Sequence, residues 1–447
     1  MALMTRCLII GICTGWLALL VSFPVFGQVA AERREVGDLV CPNASAVRKH
    51  LPEHTSDSQN TASAEMPSDA ELGTLARTVI QPPLTFETST IAGLIPKAGA
   101  RRIAFWGDSH LAGGPLASTL IQALRDQGLR VASGLLPPTM GRANVRLPEL
   151  RAYCIGSGWT SEIAYTAQSP RDTGPALVDR AADAGPNSYL WLDLRDIARR
   201  PDVRQVQLIY RTSSGASVRY TIDDGAPQTS TLPATAASRA LALSSSQLLS
   251  TLKLSVSAGK FTLLGIVLDR GQQPDVTMDV FGLPSATVKG WANANPKSLA
   301  QALHGITYDG VVLEYGTNEG ADPDFDIEKY TAMLTRALDN LRQVFPDASC
   351  VLVGPPDRGV LRQGSNKSLP LLNYANIHQK ISQTQFEVGQ RFGCMAWNWQ
   401  SLMGGPGGSY GWAHAQPRLM GRDLTHLSPS GYRLTGQALA HSLRWTP

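Results

Sequence analysis

Ser109 ends the run Ile103-Ala104-Phe105-Trp106-Gly107-Asp108-Ser109, and Leu116, Leu120 and Leu124 then recur at helical spacing. That pattern puts a serine where a buried strand turns sharply into a helix. Its hydroxyl is exposed there and its N–H points outward, as a nucleophile attacking a carbonyl requires. A serine that only caps the helix is the plainer alternative. Far downstream stand Gly316-Thr317-Asn318, after the apolar run Val311–Tyr315, and Asp423-Leu424-Thr425-His426, before the last helical stretch. On a tight loop, a carboxylate three residues before a histidine can hold one imidazole nitrogen while the other faces the serine. Taken singly, Asp423 is a cap, His426 a surface residue and Asn318 a turn residue. Together they supply nucleophile (Ser109), base (His426), orienter (Asp423) and oxyanion donor (Asn318), the set that ester cleavage needs. No metal or organic cofactor is called for.

These residues need a scaffold that brings distant strand ends together. Apolar runs at 103–107, 276–281, 310–315, 350–353 and 395–397 alternate with helical stretches near 296–303, 327–344, 374–392 and 429–443. Strands alternating with helices predict a parallel, doubly wound α/β sheet, whose sites lie at the C-terminal strand ends. Between about 180 and 272 the texture changes to β-type runs separated by turn residues, such as Asp223-Asp224-Gly225 and Ala258-Gly259-Lys260. Hairpins of an antiparallel β-sandwich are expected there, inserted between the first and second strands of the α/β unit. The expected division is 1–31 export signal, 32–97 flexible tether, 98–179 and 273–447 the two parts of the α/β domain, and 180–272 the insert.

Residues 1–31 join a positive start to a long apolar stretch and small residues suited to cleavage, the layout of a secretory signal. Retained, the same stretch is a membrane anchor; cleaved, it leaves a periplasmic or secreted protein. Export would remove Cys7 and Cys13 and leave Cys41, Cys154, Cys350 and Cys394. Four cysteines allow three pairings. Cys350 and Cys394 both begin apolar runs and could bridge neighbouring strand starts, leaving Cys41 for Cys154. A net charge of +4 without a basic run gives no support for a nucleic-acid partner. Two further groups invite a role. Glu314, Glu319 and Asp309 are expected to flank a strand and face solvent, rather than act as a glycosidase pair. Trp159, Trp291, Trp397, Trp399 and Trp412 are candidate sugar-stacking platforms or core.

With Gly-Asp-Ser-His at 107–110, Gly-Thr-Asn at 316–318 and Asp-x-x-His at 423–426, the chain resembles the SGNH (GDSL-like) hydrolases. Ser-Gly-Trp at 157–159, Gly-Thr-Asn-Glu at 316–319 and Met-Gly-Gly-Pro-Gly at 403–407 make it most similar to bacterial peptidoglycan O-acetylesterases. The resemblance implies a flavodoxin-like sheet and a carbohydrate-binding-module-like insert. It also implies an esterase acting on an acetylated polysaccharide, peptidoglycan foremost. An O-acetyltransferase using the same triad, or a polysaccharide-binding protein without turnover, would look alike. The family's second block supplies a backbone N–H to the oxyanion. In Phe281-Gly282-Leu283-Pro284-Ser285-Ala286, Ser285 falls at that position, with Gly282 as the alternative. Asp108 and Gly316 are expected to support the site.

Overall fold

The computed structural model describes residues 36–42, 68–78 and 101–445, apart from positions 149, 197 and 363. The expected export signal at 1–31 lies outside the described residues. Within the expected tether, however, Ser68 and Glu71 close a reciprocal cap on α1 (Asp69–Thr78), with Ser68 N–H and Oγ donating to the Glu71 carboxylate at 2.7 and 2.8 Å. Leu72 of this helix is buried, and Gly73 lies against the His414 ring. Cys41 is disulfide-bonded to Cys154. The tether thus contains a capped, docked helix and a covalent fastening.

β1 (Arg101–Gly107) leads through α2 (Ser109–Ala112) into α3 (Pro115–Asp126) and the two-residue strand β2 (Val131–Ala132). An antiparallel assembly follows: β3 (Leu135–Leu136), β4 (Ala152–Ile155), β5 (Trp159–Ile163), β6 (Val178–Asp183), β7 (Tyr189–Asp193), β8 (Val203–Thr212), β9 (Ala216–Ile222), β10 (Gln228–Leu232), β11 (Thr235–Leu249) and β12 (Thr251–Arg270). The chain then returns with β13 (Val276–Gly282), α4 (Lys289–Ala292), α5 (Pro296–Ala302), β14 (Gly310–Glu314), α6 (Ile327–Val344), β15 (Ser349–Val353), α7 (Asn373–Arg391), β16 (Cys394–Trp397), α8 (Trp399–Leu402), α9 (Gly408–His414) and α10 (Pro429–Ser442).

Six strands form a wholly parallel sheet in the order β16-β15-β14-β1-β13-β2. Both faces are covered. Ile103, Phe105, Val312 and Val351 pack with α3 and α10 through Leu120 and Leu439. Ala104, Trp106, Val311 and Leu352 pack with α6 and α7 through Leu338 and Ile381. Near-continuous apolar strands are what such two-sided burial demands. Without the short edge strand β2, the order reads 2-1-3-4-5, the doubly wound arrangement that opens a crevice between its first and third strands. Those strands are β1 and β14. Cys350 and Cys394 are register partners on β15 and β16 and are disulfide-bonded.

The antiparallel assembly lies between β2 and β13 in the chain. It also takes in β3 to β6 from residues 135–183, upstream of the expected start of the insert or straddling it. Its organising element is β12. Thr251–Gly259 pairs with β7 and β9, whereas Lys260–Arg270 pairs with β6, β8 and β3. The expected hairpin turn at Ala258-Gly259-Lys260 is therefore a bend within one strand that passes between two sheets. Gly259, at φ +66°, adopts the left-handed conformation the bend needs, next to a register shift at Val256/Ala258. Of the two roles open to the five tryptophans, the structure shows core: Trp159, Trp291, Trp397, Trp399 and Trp412 are each at most 9% exposed.

Candidate active site

Ser109 follows β1 at the first position of α2. Asp108 caps this short helix, its Oδ1 accepting from His110 N–H at 2.9 Å. The β1–α2 turn packs tightly on β13: a Cβ on Gly282 would lie 2.4 Å from Ala112 N. The capping group is thus Asp108, and the Ser109 side chain is left free to reach His426. Ser109 Oγ lies 3.0 Å from His426 Nε2, and His426 Nδ1 lies 2.7 Å from Asp423 Oδ2. A carboxylate only accepts, so Nδ1 carries the proton and Nε2 turns its lone pair to the serine. Asp423 also fastens its own loop: Oδ1 accepts from Thr425 N–H and His426 N–H at 3.1 and 3.0 Å, while Leu424 takes φ +54° between them.

Asn318 and Ser285 come together on the loops after β14 and β13. Asn318 Nδ2 donates to Ala286 O at 2.9 Å and approaches Asp108 Oδ2 at 3.3 Å. Ser285 is exposed in the turn just before Ala286, at φ +64°. Glu319 ties these loops together by accepting from Val288 N–H at 2.8 Å and Gly316 N–H at 3.1 Å. Gly316 sits at φ +130°, and a Cβ there would meet Pro355 at 2.7 Å. Gly282, the alternative donor position, is the last residue of β13, in register with Gly107.

Beneath this layer lie groups to which the motifs assign no catalytic role. Glu314 is buried at the end of β14 and accepts from Asp108 N–H at 3.1 Å through Oε2. The expectation that Glu314 and Glu319 face solvent is thereby corrected, since Glu314 is sealed and Glu319 half-buried. Asp309 is exposed and paired with Arg101 at 2.7 Å. Buried His110 touches Tyr432 Oη through Nδ1 at 2.9 Å, and its ring centroid is 5.4 Å from that of His426. His378 Nδ1 lies 2.7 Å from Pro356 O. The neighbours Gly-Asp-Ser-His and Gly-Thr-Asn-Glu name His110 and Glu319, but no sequence signal says that they or Glu314 are enclosed.

The electrostatics divide along the same line. The Asp423 hydrogen bond raises the His426 pKa above its ordinary value, against the effect of burial. For Asp423, burial pushes up, but the bonds to His426 and Thr425 outweigh it and hold the carboxyl below its usual range. In the lower layer burial wins. It pushes Asp108 to about 6 and Glu319 to about 7, and it raises Glu314 well above the carboxylate range with help from Asp108's charge. Burial keeps His110 neutral, well below the usual imidazole value, and drags His378 to about 3.

No family model matches the chain, and no curated protein matches it. Among solved structures, one described as a peptidoglycan O-acetylesterase in action is similar at 20% identity and TM-score 0.60, over 84% of this chain and 94% of that one. A family two carbohydrate esterase from Cellvibrio japonicus aligns at 12% identity over 64% of this chain and 99% of its own, with TM-score 0.25. An acetyl xylan esterase aligns at 13% identity over 38% and 81%, with TM-score 0.28. The last two superpose too loosely to inform the chemistry. The first shows that this chain has the fold of an esterase structure over most of its length.

Proposed function

We propose that this protein is an exported serine esterase of the SGNH hydrolase type that removes O-acetyl groups from an envelope polysaccharide, peptidoglycan foremost. The observation that carries this is the continuous chain Ser109 Oγ–His426–Asp423, with contacts of 3.0 and 2.7 Å. It stands at the switch point of a fold shared with a peptidoglycan O-acetylesterase structure. Ser109 Oγ attacks the acetyl carbonyl while His426 Nε2 takes its proton. The Ser109 and Ser285 N–H groups and the Asn318 amide, released from Ala286 O, hold the oxyanion. Collapse breaks the C–O bond to the sugar, whose oxygen receives the proton from His426. Water, deprotonated by the same imidazole, then releases acetate from Ser109. The two disulfides are compatible with an oxidising compartment. In this scheme the antiparallel assembly holds the polymer as a carbohydrate-binding module does.

The test compares acetate release from O-acetylated peptidoglycan with release from other acetylated polysaccharides. Release that is fastest from peptidoglycan and lost in Ser109→Ala is expected. Unchanged release by Ser109→Ala would overturn the mechanism, and no preference among the polymers would overturn the substrate assignment.

A further inference from the structure

An arginine with no ion pair among the described residues stands beside the His426 loop. Arg358 lies in the segment after β15, and the chain is clamped on both sides of it. Buried Asp357 accepts from Gln400 Nε2, Ser409 N–H and Gly407 N–H at 2.7, 2.8 and 3.1 Å. Gly359 N–H donates to Leu424 O at 3.0 Å, between Asp423 and His426 in sequence. There is little room for a side chain at 359, because a Cβ would meet Leu424 at 3.0 Å and Tyr410 at 3.1 Å. The Arg358 guanidinium carbon rests 4.4 Å from the Tyr374 ring centroid, a cation–π contact. Tyr374 is itself held by its hydroxyl, which lies 3.1 Å from Asn366 Oδ1.

The guanidinium is only partly exposed, yet among the described residues no carboxylate pairs with it and no hydrogen bond engages its N–H groups. Arg102, Arg195, Arg211 and Arg270 are paired with Asp279, Asp193, Asp179 and Asp202, and buried Arg180, which has no carboxylate among the described residues, donates instead to the carbonyls of Pro138 and Met140. The Asp423 charge favours the protonated form of Arg358, but no ion pair joins them: the Asp423 oxygens bond to Thr425 and His426. The Arg358 charge in fact opposes protonation of His426, the event that ester cleavage requires. An anion seated on Arg358 would cancel that opposition and satisfy a planar, five-donor fork suited to a carboxylate.

We propose that Arg358, packed over Tyr374, is a subsite for a carboxylate of the acetylated glycan, so that the substrate is an acidic polymer. This rests on the esterase reading above and narrows its substrate class. The carboxylate belongs either to the sugar or to a peptide attached to it.

Calorimetric titration with the deacetylated ligand tests the subsite without turnover. The probes are N-acetylmuramic acid, its methyl ester and the corresponding muramoyl dipeptide. The wild-type protein is expected to prefer a free acid to the methyl ester. Arg358→Gln should shrink that preference about 10–100-fold, the range of a charge-assisted pair. Arg358→Lys should retain part of it, and rising salt should weaken it. Preference for the free acid sugar places the carboxylate on the sugar; preference for the dipeptide alone places it on the peptide. Equal binding of the acid, the ester and the dipeptide by the wild-type protein, or an equal loss for all three in Arg358→Gln, would overturn the subsite. Failure of the esterase reading shows separately, as absent acetate release.

Discussion

Asp423 and Glu314 each lie within two contacts of Ser109. Asp423 is half exposed, and hydrogen bonds keep its carboxylate ionised. Glu314 is sealed in a strand end, one oxygen on Asp108 N–H and the other without a partner among the described residues, so burial keeps it protonated. Asp108 and Glu319 side with Glu314. The difference teaches that an acid's proximity to the proposed nucleophile says little about its role. The upper layer has the hydrogen bonds to move a proton. The lower layer has a neutral acid and a cap, which fix the β1–α2 turn.

Replacing one acid from each layer should break this comparison in opposite ways. Asp423→Asn keeps the shape but lets Nδ1 become the acceptor, turning a proton toward Ser109; kcat for an aryl acetate should fall about 10³–10⁴-fold. A loss below tenfold would show that Asp423 does not set the tautomer. Asn318→Ala removes one proposed oxyanion donor and should lower kcat about 10²–10³-fold with little change in KM. A change confined to KM would make Asn318 a binding residue instead.

The pH profile sharpens the contrast. His426 must be neutral to accept a proton, so kcat/KM should rise with pH through an inflection above the ordinary imidazole value of 6.5. In Asp423→Asn that inflection should move down. Because the folded pKa is raised, the His426–Asp423 contact stabilises the fold fully below 6.5, and that contribution is lost as pH rises through the folded value.

Glu314 gives the smallest effect, read in stability rather than turnover. A carboxyl raised by burial binds more protons folded than unfolded, so stability falls as pH climbs from the ordinary carboxylate range toward the raised value. Glu314→Gln can still accept from Asp108 N–H and carries no titrating proton. Its melting temperature should match the wild type near pH 5 and equal or exceed it near pH 8. Equal destabilisation at both pH values would show that Glu314 is ionised in the fold.

Much of the upper layer was legible because its signals are local. Ser109 sits at an apolar run's end, and Asp423 and His426 share one turn of chain. The helix over 327–344 was legible from the spacing of Tyr330, Leu334, Leu338 and Leu341, all buried. The lower layer was hidden because burial is a tertiary property: Glu314 reads like any acid after a strand until β1 and β15 close around β14. Gly259 misled for a related reason, since a glycine at a bend between two sheets and one in a hairpin look identical along the chain. The tryptophans stayed open between two roles because a stacking platform and a core residue share one composition. Arg358 left no trace, as its significance lies in a missing partner.

The most direct measurement is covalent capture. The protein is treated with a serine-directed sulfonyl fluoride, and the adduct is mapped by peptide mass spectrometry. A single adduct on Ser109 is predicted, lost in His426→Ala and accompanied by loss of acetate release. An adduct elsewhere, or full acetate release from protein labelled at Ser109, would contradict Ser109 as the nucleophile.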